Sequence, residues 1–196
     1  MKKSDIETLC DKLLAQIYSA AELKEASLHL ESISLDRQFK IHASNIINDS
    51  ELNSTQKKRQ LAYLLGTIEL PLLHDFFSDE IDAGSLWLLD NQKIDYLDEF
   101  VKKFQQSTES VHILHLTSAV NLTPQQIRSI SRDLTHEFGY KIIVDHMVNA
   151  NLIGGILVKL DNYIFDYSLR SKFQQFQHEW LASLEKTTKL VGRYDP

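Results

Sequence analysis

The sequence is short of cysteine, proline and glycine, and it holds no long apolar run. Cys10 is the only cysteine among 196 residues. That excludes an intramolecular disulfide and any zinc site built on cysteine pairs. Three prolines and six glycines leave no low-complexity tract. No stretch approaches the ~18 apolar residues that a transmembrane helix needs. The opening Met1-Lys2-Lys3-Ser4-Asp5-Ile6-Glu7 is not followed by the apolar segment of a secretory signal. A cytosolic setting is therefore expected. Basic residues are also in deficit, 21 Lys and Arg against 27 Asp and Glu, for a net charge of −6. That balance disfavours a nucleic-acid binder.

What is present is a globular composition, 43% apolar and 24% charged. A chain of this length buries about 70% of the surface it exposes when unfolded, enough for a core without metals. The charge is unevenly spread. Residues 1–107 hold 18 acidic and 12 basic side chains, whereas residues 108–196 hold nine of each. Two readings of the acidic first part stay open. One is a solvated acidic surface; the other is a docking face for a basic segment of a partner.

Hydrophobic periodicity divides the chain into two domains. Ser4 and Glu7 have the spacing of a capping box. Ile6, Leu9, Cys10, Leu13, Leu14 and Ile17 then stripe one helical face. Further helical patterns cover 22–34, 36–48, 55–69, 71–82 and 90–106, with Leu61, Leu64, Leu65 and Ile68 on one stripe and Ile94, Leu97, Val101 and Phe104 on another. Residues 1–107 therefore read as an all-α bundle of about six helices. After residue 108 the period changes. Val111 to Thr117 is β-prone, Thr123-Pro124 with Gln126 opens a helix, and Gly139 stops it. Tyr140 to Val148 reads as a strand, and 152–160 with 163–165 as a hairpin turning at Asp161-Asn162. A last helix runs from Ser168 to about Lys186. The fold class is α+β: a helical bundle, then a small β-α-β-β-β-α domain over 108–186, then a tail at 187–196 with no periodicity.

Catalytic and metal patterns are scarce. His112 and His115 are three apart on a predicted strand and so face opposite sides of the sheet. There is no H-x-x-x-H, Walker loop, G-x-S-x-G or G-x-G-x-x-G. Asp161 and Asp166 flank a turn, where a structural aspartate is favoured over an acid–base pair. Lys57-Lys58-Arg59 reads as a solvated helix face. No catalytic residue, metal or cofactor is expected.

One segment is distinctive. Leu152-Ile153-Gly154-Gly155, then Asp166-Tyr167-Ser168-Leu169-Arg170, resembles the L-I-G-G … D-G-S-V-R signature of the delta subunit of F-type ATP synthase, the oligomycin-sensitivity-conferring protein family. Thr117-Ser118-Ala119-Val120-Asn121-Leu122-Thr123 is similar to that family's lead-in to a helix. Asn91-Gln92-Lys93-Ile94 and Leu52-Asn53 … Lys57-Lys58 look like two further elements. Tyr167 stands where the family usually has Gly, Lys93 where it has Arg, and the first helix lacks the usual pattern, so a divergent member is implied.

The resemblance implies a non-catalytic stator subunit in a complex on the cytoplasmic side of an energy-coupling membrane. Its bundle would hold the N-terminal helix of an alpha subunit, near Ile6, Leu13, Ile17, Ile94, Leu97 and Val101. Its second domain would meet the stalk b subunit through Phe176 and Trp180. No nucleic acid, lipid insertion or homo-oligomer is expected. The alternative is a helical-bundle adaptor or RNA-binding regulator, which would need a basic face.

Overall fold

The computed structural model describes residues 2–90 and 94–191. The chain divides into two compact units, Met1–Val111 and His112–Pro196.

Unit 1 is helical. It runs α1 (Lys2–Ala15), α2 (Ala20–Leu35), α3 (Arg37–Asn48), α4 (Ser54–Leu65), α5 (Pro71–Ala83), a 3-10 turn at Leu86–Leu89 and α6 (Tyr96–Thr108). Local chemistry sets most boundaries. Ser19 and Glu22 form a complete capping box at α2, and Asn53 and Gln56 form another at α4. Asp36 ends α2 and starts α3, its carboxylate accepting from the Gln38 and Phe39 N–H groups. Pro71 opens α5, and Gly84, at φ +92°, closes it in the left-handed conformation.

Two sequence expectations are corrected here. Ser4 lies inside α1, which begins at Lys2, so it is not the helix cap. The last bundle helix begins at Tyr96 rather than near residue 90, because Asp95 caps it by accepting from the Asp98 N–H at 3.1 Å. Ile94 therefore precedes the helix and is 51% exposed.

The bundle core is apolar and aromatic. Phe76 meets Phe77 edge-on at 5.5 Å and stacks on Phe100 at 5.8 Å, and Phe100 in turn lies 6.3 Å from Phe104. The α1 stripe, Ile6 to Ile17, is buried throughout.

Unit 2 runs β1 (His112–Ser118), α7 (Pro124–Phe138), β2 (Ile142–Val148), β3 (Ile156–Leu160), β4 (Tyr163–Asp166) and α8 (Leu169–Val191). The sheet order is β2-β1-β3-β4. β1 and β2 are parallel, as the α7 crossover requires, and the other pairs are antiparallel. Thr123, Pro124, Gln126 and Gly139 delimit α7 as their residue types dictate. The third strand begins at Ile156, four residues later than its pattern suggests. Ile153 at φ +63° and Gly155 at φ +80° break the extended backbone before it. The last helix continues to Val191, past the expected end at Lys186; residues 192–196 of the expected tail lie outside the described residues.

α7 covers one face of the sheet. Leu114, Leu116, Ile142, Val144 and Leu160 form the core there, with Ile127, Ile130 and Leu134 packed on it. Two hydroxyls pin α7 to the start of β2. Ser131 Oγ, fully buried, donates to the Ile142 carbonyl at 2.6 Å, and Thr135 Oγ1 accepts from the Ile142 N–H at 3.0 Å.

Candidate docking surfaces

The distinctive segment is a joint between β3 and α8. The Tyr167 N–H donates to the Ile156 carbonyl at 2.9 Å, and the Leu169 N–H donates to the Gly154 carbonyl at 2.9 Å. Ser168, 2% exposed, is the helix cap: its Oγ accepts from the Ser171 N–H at 3.2 Å. Asp166 accepts from the Ser168 N–H at 2.8 Å. The Ser168 hydroxyl and N–H together hold the Asp166 carboxyl below the usual carboxylate range. Arg170 is exposed. Gly154, Gly155, Asp166 and Ser168 thus do architectural work.

Beyond the joint, α8 carries an exposed apolar stripe. Leu169, Phe173, Phe176 and Trp180 recur at helical spacing and are 52%, 75%, 63% and 57% exposed. Large apolar side chains at that exposure mark an interaction surface. A second apolar surface lies on the sheet. α7 covers β1 and β2 but leaves part of the same face open beside β3 and β4. The result is a trough of about 420 Å³ whose walls include Leu116, Leu134, Phe138, Val158, Phe165 and Tyr167. Its outer rim is a row of rings on alternate residues of the edge strand. Tyr163 and Phe165 stack at 6.4 Å, and so do Phe165 and Tyr167. Sequence reasoning missed the trough. The available signal was the period-two run Tyr163, Phe165, Tyr167.

In the bundle the outcome differs. Ile6, Leu13, Ile17, Leu97 and Val101 are 4% exposed or less, packed into unit 1 itself. They are interior side chains; of the six groove residues only Ile94 is presented at the surface. α1 and α5 are bridged instead by an ion pair between Lys12 and Glu80. Glu80 is 5% exposed and its second oxygen accepts from Ser85 Oγ at 2.9 Å. α5 carries Asp75, Asp79, Glu80 and Asp82 and no Lys or Arg.

The basic run is also corrected. Lys57 Nζ donates to the Ile47 carbonyl at 2.7 Å and Lys58 Nζ to the Asp82 carbonyl at 2.8 Å. These are the C-terminal turns of α3 and α5, where a cation is favoured. Two of the three residues are therefore helix caps rather than a solvated face.

The histidines in the sheet pair separately. His112 Nδ1 lies 3.2 Å from Asp161 and His115 Nδ1 lies 3.0 Å from Asp145, on opposite faces. Among the described residues no three His, Cys, Asp or Glu converge to hold a metal ion. No helix of the described residues is long and apolar enough to cross a membrane.

These features define an interaction protein: a helical unit and a small α/β unit in which the distinctive residues build a joint and large apolar side chains stand exposed. Comparison with known proteins gives the family. A family model, ATP synthase delta (OSCP) subunit, matches residues 20–179. ATP synthase subunit delta of Pelagibacter ubique is 27% identical over 84% of this chain and 86% of its own. The chloroplastic subunit delta of Emiliania huxleyi is 29% identical over 80% of this chain and 92% of its own. A chain of the Toxoplasma gondii mitochondrial ATP synthase hexamer covers 92% of this chain at 12% identity and a TM-score of 0.35. The chain belongs to the ATP synthase delta (OSCP) family, and it is a structural, non-catalytic subunit of the peripheral stalk.

Proposed function

We propose that this subunit ties the catalytic head of an ATP synthase to the b subunit of the stalk, so that the head resists the torque of the rotor. The observation that carries the reading is the exposed stripe Leu169, Phe173, Phe176 and Trp180 on α8. A mechanical joint works through buried apolar anchors, and aromatic side chains are the usual ones. The stripe and the aromatic rim of β4 supply them, and the b subunit's helical end is the proposed occupant. On the bundle, the acidic α5 and its bridge to α1 suit a basic amphipathic helix, here the N-terminal helix of an alpha subunit. The working position is the cytoplasmic side of an energy-coupling membrane, held there by the complex.

The test is a pull-down of the tagged full chain from membranes solubilised in mild detergent. The expected result is recovery of alpha, beta and b subunits. Phe176→Ala with Trp180→Ala should lose b and keep alpha. Asp75→Lys with Asp79→Lys should lose alpha and keep b. Retention of b by the first variant overturns the α8 assignment, and retention of alpha by the second overturns the α1–α5 assignment.

A further inference from the structure

Strand β4 is an edge of the sheet and lacks the usual guards of an edge. The order β2-β1-β3-β4 leaves one side of it open, and all four of its residues are exposed. Edge strands are commonly blunted by Lys, Pro or a bulge. Tyr163-Ile164-Phe165-Asp166 has no Lys or Pro, and its pairing with β3 runs unbroken through all four residues. Asp166, its one charge, accepts from the Ser168 N–H. The Tyr167 N–H donates to the Ile156 carbonyl, which fixes the phase of the ladder. Tyr163, Phe165 and Tyr167 turn their backbone groups towards β3, whereas Ile164 and Asp166 turn theirs to the open side. The side chains around that open backbone are large. Tyr163, Ile164, Phe165 and Tyr167 are 69%, 65%, 45% and 55% exposed.

We propose that β4 pairs with the β4 of a second copy of this chain, antiparallel, about a twofold axis at Phe165. The order of residues makes the strand its own complement, as a twofold contact requires. In this register Ile164 of each copy lies opposite Asp166 of the other, and these are the residues whose backbone groups point outward. Phe165 lies opposite its own counterpart, and Tyr163 opposite Tyr167. The two stacked rows therefore merge into one aromatic face on a continuous sheet. Each carboxylate faces an isoleucine. A register moved by two residues would set the two Asp166 carboxylates face to face, which disfavours it. Size sets the strength. Aromatic side chains of about 200 Å² at these exposures, with Ile164, bury roughly 400 Å² per copy, half of the ~800 Å² per partner in a stable complex. The dimer is therefore weak, with a Kd on the order of 0.1 mM, and it yields to any interface of standard size. It is a property of the free subunit. The inference does not rest on the stalk reading, which is carried by the α8 stripe.

The test uses the full chain. Sedimentation equilibrium from about 10 μM to about 1 mM should show the mass rising from monomer towards dimer. Ile164→Pro should abolish the rise. The Ile164 N–H points away from β3, so proline there keeps the native ladder and blocks only the edge. Cross-linking reads the register. Cys10 is fully buried, so an introduced cysteine is the accessible thiol. Phe165→Cys should give an intermolecular disulfide on mild oxidation, because directly opposite residues of such a pair stand about 4.5 Å apart at Cα. Ile164→Cys should react about tenfold more slowly or less, since its counterpart is two residues further along, beyond the ~7 Å that a disulfide spans. A monomer throughout the concentration range, association that survives Ile164→Pro, or equal cross-linking at both positions would each overturn the proposal. Should Ile164→Pro fail to fold, the two cysteine variants decide alone. Phe176→Ala with Trp180→Ala should leave the dimer intact even where it loses the b subunit, and loss of the dimer in that variant would overturn the proposal in favour of α8 as the contact.

Discussion

Gly155 faces the carbonyl oxygen of Tyr167 so closely that a Cβ on the glycine would stand 2.3 Å from that oxygen and 2.9 Å from Ser168 Cα. Gly155 also sits at φ +80°, a region that costs an L side chain. One residue thus lets the turn before β3 pass beneath the backbone that launches α8. Tyr167 itself does not have a positive φ, so the position takes a side chain without backbone strain. Its ring is stacked on Phe165 at the rim of the trough.

Gly155→Ala should therefore destabilise unit 2 by more than about 2 kcal/mol, combining the left-handed backbone with a clash against main chain that cannot move aside. Gly154→Ala should cost much less. Its added Cβ would meet Leu169 Cδ1 at 2.6 Å, but that is the far end of an exposed, flexible side chain. Hydrogen exchange of the β1 and β3 amides in the two variants reads the difference. Equal effects would show that the close approach to Tyr167 is not what the glycine pair serves.

The Lys40 cluster predicts a stability plateau with two edges. Lys40 Nζ lies 2.6 Å from both Asp95 and Asp98, joining α3 to the start of α6. Burial alone would raise the Asp98 carboxyl, but hydrogen bonds from Lys40 and Ser34 outweigh it and hold it below its ordinary value of 3.8. Burial would lower the Lys40 ammonium, but the two carboxylates outweigh it and hold it above 10.5. A depressed carboxyl stabilises above its unfolded pKa and loses that contribution as the pH falls through its folded one. A raised ammonium stabilises below its unfolded pKa and loses that as the pH rises through its folded one. The cluster should thus contribute fully at neutral pH and fade below pH 3.8 and above pH 10.5. Urea midpoints measured across pH should show both edges blunted in Lys40→Met.

Cys10 should be inert in the native protein. Burial, then the negative charge of Asp11, pushes its thiol from 9.0 up to about 12, with Lys103 opposing and Glu7 adding. Its Sγ is fully buried, 3.7 Å from the Phe100 carbonyl. The thiolate is the reactive form, so its share near neutral pH falls about a thousandfold. Labelling with a thiol reagent should be negligible until denaturant opens α1, and rapid native labelling would mean that α1 detaches.

The contrast between α1 and α8 explains what was legible in the sequence. Both helices repeat apolar residues with the same period, and both were found from it. In α1 the stripe Ile6 to Ile17 is buried by the other helices of unit 1, whereas in α8 the stripe Leu169 to Trp180 is exposed. Periodicity marks an apolar face but does not say whether this chain or another covers it. That is why one period puts Ile6, Leu13, Ile17, Leu97 and Val101 in the interior of unit 1 and leaves Phe176 and Trp180 exposed. Local signals were more informative. The Thr123-Pro124-Gln126 start and the Gly139 stop of α7 depend only on near neighbours in sequence. The trough depends on the register of β3 against β4, Val158 opposite Phe165, which no local pattern contains. Ser131 and Thr135 were missed for the same reason: their partner, Ile142, lies on another element.

The run Lys57-Lys58-Arg59 offers a last test, because its three neighbouring cations divide into two jobs. Lys57 and Lys58 satisfy carbonyls at the ends of α3 and α5, groups that a helix leaves without intrahelical donors. Replacing either by Met removes a charge-assisted hydrogen bond and a favourable dipole contact while keeping most of the apolar stem. The expected loss is about 1 kcal/mol each. Arg59→Met should leave stability within about 0.5 kcal/mol, as an exposed substitution away from such a contact does. Thermal melts of the three single variants decide the matter. A stability loss at Arg59 equal to that at Lys57 would mean that the run acts as one charged face, and the separation of its two structural members from the exposed Arg59 would fail.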